Sequence, residues 1–177
     1  MLQPNTMTEG QPPMYTRIED FASEWEKELE LTAAVMEALT DASLGQPVAE
    51  GRRTLGQIAW HLVQSPAYMA ALGLVFEGPA GDEPPASAAF IASEYRRVAE
   101  ALLQAVRAQW TDAELPKSQQ IAGEEWRNGA SLRFTLLHQV HHRGQMTVLM
   151  RQAGLRVPDL YGPTYDTWVE KGMEPLA

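Results

Sequence analysis

Four histidines carry the strongest chemical signal in this chain of 177 residues. Three crowd into L-H-Q-V-H-H-R-G-Q as His138, His141 and His142, and His61 stands alone in I-A-W-H-L-V. A helix turns about 100° per residue, so His138 and His142 stand roughly 40° apart around the axis and one turn apart along it. Two imidazoles placed that way can point at a common atom. His141 lies roughly 60° to the other side of His138 and should face away from that atom. A helix facing this pair and carrying His61 would complete a three-nitrogen site. Neutral imidazole is the commonest metal ligand, and three protein ligands with an open position describe a catalytic rather than a structural site. Ligand type alone does not choose among zinc, copper, iron and nickel. A lone histidine on an apolar helix is ordinarily a hydrogen-bonded core residue. Here the joint pattern favours a metal, because buried imidazoles are costly without partners.

Other chemistries are excluded by what is missing. The spacing of His138 and His142 is that of HEXXH, but its glutamate position is Gln139, which cannot act as a general base. The chain has no cysteine, so disulfides, thiolate zinc sites, iron–sulfur clusters and a cysteine nucleophile are ruled out. Neither a nucleophile elbow nor a glycine-rich phosphate loop is present.

The elements that must position the histidines are helices. From Thr16, in a capping-box pattern with Glu19, apolar residues from Ile18 to Leu39 recur at three- and four-residue steps, stopping near Gly45 and Pro47. A second capping box, Thr54 with Gln57, opens a helix over Leu55 to Phe76 that Pro66 should bend or break. The third runs from about Ser87 to Trp110. An irregular stretch, Thr111 to Ala130, precedes the fourth, which spans Ser131 to Ala153 with Gly154 as its left-handed cap. No segment shows strand alternation. The expected fold is all-α, a four-helix bundle with one long connection and a C-terminal tail folded back over it. The domain division is a flexible N-terminal segment, 1–15, and a single domain, 16–177.

Composition sets the partners. With 45% hydrophobic and 21% charged residues, the chain can bury one continuous core. The formal net charge of −9 offers no surplus of Lys and Arg for phosphates, so neither nucleic acid nor an anionic membrane is an expected partner. No apolar run approaches the ~20 residues of a spanning helix, and MLQPNTMTEGQPPMY lacks the features of a secretory signal. A cytoplasmic location is expected.

The run H-x-x-H-H-R-G-Q-M, then L-M-R-Q-A-G and V-P-D-L-Y-G-P-T-Y-D, resembles the C-terminal signature of the DinB/YfiT-like superfamily. T-L-G-Q-I-A-W-H-L resembles its second-helix motif, and the likeness extends from about Ile18 to Trp168. The resemblance implies an up-down-down-up bundle, commonly a homodimer, with a divalent metal on His61, His138 and His142. Zinc or nickel leads among the metals, with iron or manganese behind. His141 is not among the implied ligands. Relatives with thiol-dependent transferase or isomerase activity use mycothiol, bacillithiol or glutathione, so the resemblance implies a low-molecular-weight thiol cosubstrate and a small-molecule substrate. The leading expectation is a metal-dependent thiol S-transferase, with a hydrolase-like enzyme beside it. The rival is a non-catalytic, metal-stabilised dimeric bundle that binds a small molecule or a protein.

Other polar residues have ordinary readings beside chemical ones. Tyr68 is a pocket or core tyrosine; Gln145 orients a ligand or packs; Asp112, Glu114, Glu124 and Glu125 are a fourth ligand, a base or a solvated loop. Arg143 and Arg151 hold a carboxylated substrate or make surface salt bridges.

Overall fold

The computed structural model describes residues 15–121 and 123–175. Its apolar stripes fold as α1 (Ile18–Glu37), α2 (Leu55–Gln64), α3 (Ala88–Gln109) and α4 (Asn128–Gln152). Cross-helix bonds give the directions. Glu24 on α1 meets Arg133 on α4, and Glu28 further along α1 meets Arg143 further along α4, so these two helices run parallel. Tyr68, just past α2, bonds Ser131 near the start of α4, which makes α2 antiparallel to α4. Arg107 near the end of α3 pairs with Glu19 at the start of α1, so α3 is antiparallel to α1 and the bundle is up-down-down-up. Phe21, Met36, Leu55, Ile91, Leu102, Leu132 and Met146 fill its centre with no exposed surface. Each such side chain contributes about 1.5–3 kcal/mol through burial.

The ends of α1 and α3 are tied to each other. The first amide of α1, Ile18 N–H, donates to Asp112 just past α3 at 2.7 Å, and Ala88 N–H at the start of α3 donates to Asp41 just past α1, also at 2.7 Å. The expected Thr16–Glu19 capping box does not form: Arg17 occupies the cap position without a side-chain bond, and Asp112 supplies the acceptor from another segment. Between these ends, Arg96 pairs with Glu30 and Glu37, and Arg107 pairs with Glu19 and Glu26, at 2.7–2.9 Å. Trp25 adds a buried bond from its indole N–H to the Ala99 carbonyl.

Three sequence-based boundaries move. Helix one stops at Glu37, and Asp41–Gly45 forms a 3-10 turn of its own, closed by Thr40 and Ser43. Helix two stops at Gln64 because Pro66 has no N–H to continue the ladder and clashes with the preceding turn; Ser65–Leu72 carries on as a 3-10 helix. The stretch read as irregular contains a hairpin, β1 (Ser118–Ile121) paired antiparallel with β2 (Glu124–Arg127), after which α4 starts three residues early, at Asn128. These strands are four residues each and largely polar, so no alternation marks them. Gly123, at φ 86°, turns the hairpin, and Gly154, at φ 74°, closes α4 as the sequence predicts. The tail folds back and includes α5 (Tyr165–Glu170), tied to α4 by Arg151 and Asp166. The expected flexible segment lies outside the described residues except for Tyr15, which is buried and donates its hydroxyl to Glu24. No described helix is long and apolar enough to cross a membrane.

Candidate metal centre

The Thr54–Gln57 capping box forms as read, with Thr54 N–H on the Gln57 side chain at 2.9 Å and Gln57 N–H on the Thr54 hydroxyl at 3.3 Å. It fixes the start of α2, whose Leu55, Ile58 and Leu62 turn into the core. His61 is left half-buried at the core's edge, facing α4. There Leu132, Leu136, Met146 and Leu149 set the rotation of the helix, and His138 and His142 face α2.

The three Nε2 atoms converge. His138 Nε2 lies 3.3 Å from His61 Nε2 and 3.1 Å from His142 Nε2, with the rings nearly perpendicular to one another. All three potential ligand atoms fall within 4.8 Å of each other, and no carboxylate joins the group among the described residues. Two nitrogens bound tetrahedrally at about 2.0–2.1 Å from one metal stand about 3.3 Å apart, which is the separation seen here. Hydrogen bonding alone serves this arrangement poorly, because one proton on His138 Nε2 satisfies one of its two neighbours. A cation would take up all three lone pairs at once. The donor set therefore fits a divalent transition metal.

Protonation is tuned in the same direction. Burial, then the neighbouring His142 and His61, push His138 down to about 4. His61 is lowered by burial and then by His142 and Arg53. Burial likewise lowers His142, partly offset by its bond to Gln145. All three are neutral near pH 7, the form that ligates. His142 Nδ1 lies 2.8 Å from Gln145 Oε1, and Gln145 Nε2 lies 3.2 Å from His141 Nε2. An amide oxygen only accepts, so His142 donates from Nδ1 and its Nε2 carries the lone pair. His141 is exposed and stands outside the convergence, as its helical angle requires.

The remaining candidates disperse. Arg143 is not at the surface and holds no substrate: it is 1% exposed and bonds Glu28, Thr32 and Tyr161 inside the bundle. Arg151 pairs with Asp166 in the tail. Tyr68 donates to the Ser131 carbonyl and meets the Thr135 hydroxyl at 2.5 Å, with burial raising it to about 12. Asp112 caps α1, Glu114 pairs with Lys117, and Glu124 accepts from the Trp126 indole. Gln139 accepts from Tyr95 in the core, far from a peptidase role. Sequence reasoning missed two influences on the site. Phe134, one turn before His138, stacks on its ring at 5.5 Å; the four-residue step was the available signal. Arg53, just before the cap of α2, adds its positive charge to the lowering of all three imidazoles, behind their burial.

Comparison with known proteins agrees with this architecture. YrdA of Bacillus subtilis strain 168, an uncharacterized protein, is 44% identical over 163 residues, covering 91% of this chain and 98% of YrdA. A DinB-like protein from Bacillus cereus ATCC 10987 has a crystal structure 46% identical in sequence, with a TM-score of 0.80 over 84% of this chain and 100% of that one. YfiT from Bacillus subtilis, described as a probable metal-dependent hydrolase with an unusual four-helix bundle topology, shares the fold at 19% identity and a TM-score of 0.62, covering 88% of this chain and 95% of YfiT. The DinB family profile matches residues 14–173. The chain belongs to the DinB family.

Proposed function

We propose that this protein is a divalent-metal-dependent enzyme in which His61, His138 and His142 hold the metal and a small molecule is the substrate. The observation that carries it is the convergence of three Nε2 atoms at 3.1–3.3 Å from two different helices. When bound, such a metal lowers the pKa of a coordinated thiol or water and so supplies a nucleophile at neutral pH. The chain's own part is to keep three imidazoles neutral, to hold His142 in the ligating tautomer through Gln145, and to leave the site's open side to a cosubstrate. Zinc or nickel is the first choice of metal, and iron or manganese the second. A low-molecular-weight thiol is the proposed cosubstrate, as the resemblance to thiol-dependent relatives of this fold implies. Hydrolysis, with water in the thiol's place, is the second reading, favoured by the description of YfiT. The proposal includes a cytoplasmic homodimer; exposed Leu137 and Val148 on the outer face of α4 support the dimer.

The deciding experiment is elemental analysis of untagged, as-purified protein, with H61A and H142A beside it. Near one equivalent of a single metal is expected, lost in both variants while helicity is kept. A metal-loaded sample then goes into parallel thiol-conjugation and ester-hydrolysis screens. Full metal occupancy in both variants overturns the ligand assignment.

A further inference from the structure

Aromatic rings gather beside one ligand of the proposed centre. Phe134, one turn before His138 on α4, lies along that imidazole with ring centroids 5.5 Å apart and planes 20° from parallel. Trp126 on β2 meets Phe134 at 5.4 Å and 78°, and Tyr68, just past α2, meets it at 6.2 Å and 82°. Three segments distant in the chain thus bring three rings to a single place, and the middle ring touches a metal ligand.

The outer two rings are fixed by their own polar ends. The Tyr68 hydroxyl donates to the Ser131 carbonyl at 2.8 Å and meets the Thr135 hydroxyl at 2.5 Å, and both partners are buried on α4. The Trp126 indole N–H donates to Glu124 at 3.2 Å. Asn128 closes the hairpin onto the start of α4: its backbone N–H donates to the Lys117 carbonyl at 2.8 Å and its side-chain amide to the Glu114 carbonyl at 3.0 Å. Side chains already held in place lose little freedom on binding, which is how a preorganised surface gains affinity. Phe134 nonetheless keeps 44% of its surface exposed. One exposed ring is ordinary on a protein. This ring is braced by two others and lies along a ligand, so a molecule bound to the metal has it as a neighbour. Such arrays favour a further ring in stacked or edge-on contact, and covering their apolar surface is favourable in itself.

We propose that Phe134, Trp126 and Tyr68 determine the specificity of the centre, forming a wall for a substrate whose heteroatom reaches the metal and whose neutral, ring-sized apolar flank lies against the rings. This rests on the metal reading above and deepens it. The test uses protein loaded with Co(II), whose visible bands report the ligand field, and titrates it with acetohydroxamate and 3-phenylpropionohydroxamate. The two probes share one metal-binding head and differ only in the flank. Both shift the bands, and 3-phenylpropionohydroxamate binds at least tenfold more tightly. Phe134→Leu and Trp126→Ala each cut that ratio at least threefold while Co(II) stays bound and helicity is kept. Trp126 stands on the hairpin away from the ligands, so its variant separates loss of the wall from disturbance of His138. Equal affinity of the parent for the two probes overturns the wall, including the case in which a second copy already covers it. A ratio unchanged in either variant overturns it as well, and so does a Co(II) protein whose bands respond to neither probe. Failure of the parent to bind Co(II) is a distinct result that overturns the metal reading and this inference together.

Discussion

Replacing Arg143 with Met tests whether the helix bearing His138 and His142 is held in register from inside the bundle. The guanidinium is 1% exposed and donates four bonds: to Glu28 Oε2 and Tyr161 Oη at 2.6 Å each, to Thr32 Oγ1 at 2.9 Å, and to the Glu28 carbonyl at 3.1 Å. Met matches much of the volume and removes every donor. Glu28, itself 5% exposed, keeps the Tyr161 hydroxyl at 2.7 Å as a donor but loses its counter-charge. Removing one partner of a buried ion pair costs about 3–5 kcal/mol, most of it from the stranded charge. For a chain of this size each kcal/mol moves Tm by about 2–4 °C, so the expected fall is roughly 6–20 °C. Urea and thermal unfolding followed by circular dichroism measure it, with E28Q and E28Q/R143M alongside. Gln at position 28 removes the stranded charge, so the double variant should be more stable than R143M alone. A loss below about 1 kcal/mol for R143M, or single-variant losses that simply add in the double, would refute the ion pair as the origin of the effect.

Metal removal should lower Tm, because a ligand of the native state at a hundred times its Kd adds about 2.7 kcal/mol; a chelator titration in differential scanning calorimetry checks this, with H142A expected to show no shift. Gln145→Leu should weaken Co(II) binding about 10- to 100-fold by freeing the His142 tautomer, read by competition with a chromophoric chelator; unchanged affinity would leave Gln145 a packing residue. The metal-free protein should lose stability in acid through His138, whose folded value near 4 lies below its usual 6.5. The unfolded chain then binds the extra proton between those values, so stability is flat above about pH 6.5 and falls as pH drops toward 4; urea midpoints at several pH values show it. Gly56→Ala should cost about 1–3 kcal/mol by overpacking, since the new Cβ would sit 3.0 Å from the Leu44 side chain and 3.1 Å from its carbonyl oxygen; a urea midpoint equal to that of the parent would show that the 3-10 turn yields.

Helix periodicity made the bundle and the His138–His142 pair legible because both depend on residues near in sequence or on one face. Ile18, Phe21, Trp25 and Leu29 announce α1 by spacing alone, and His138 with His142 announce a shared direction. What spacing cannot show is contact made across the chain. Asp112 looks like a loop acid and is the cap of a helix almost a hundred residues earlier. Arg143, beside His142 in an apparently solvated H-H-R run, points to the core because Glu28, Thr32 and Tyr161 wait there. The hairpin was hidden for another reason: S-Q-Q-I and E-E-W-R have too few apolar positions to alternate, and their pairing depends on the turn at Gly123 and on α4 following at once.

The reciprocal caps at Asp41 and Asp112 have a consequence for the order in which the molecule comes apart. Each of α1 and α3 terminates the other, with arginine–glutamate pairs along the seam, so neither end frays until both helices separate. Neither of them carries a histidine. All four histidines sit on α2 and α4, and the ten-residue α2 begins with its own capping box and ends at a proline-led 3-10 turn rather than on another helix. The molecule thus combines a clasped frame, to which α4 is tied by the buried Arg143, with a short α2 whose ends rest on no other helix. Hydrogen exchange in the metal-free protein should accordingly be slowest along α1 and α3. Metal should slow it most around His61, where the shortest of the four bundle helices gains an anchor that its own sequence does not supply.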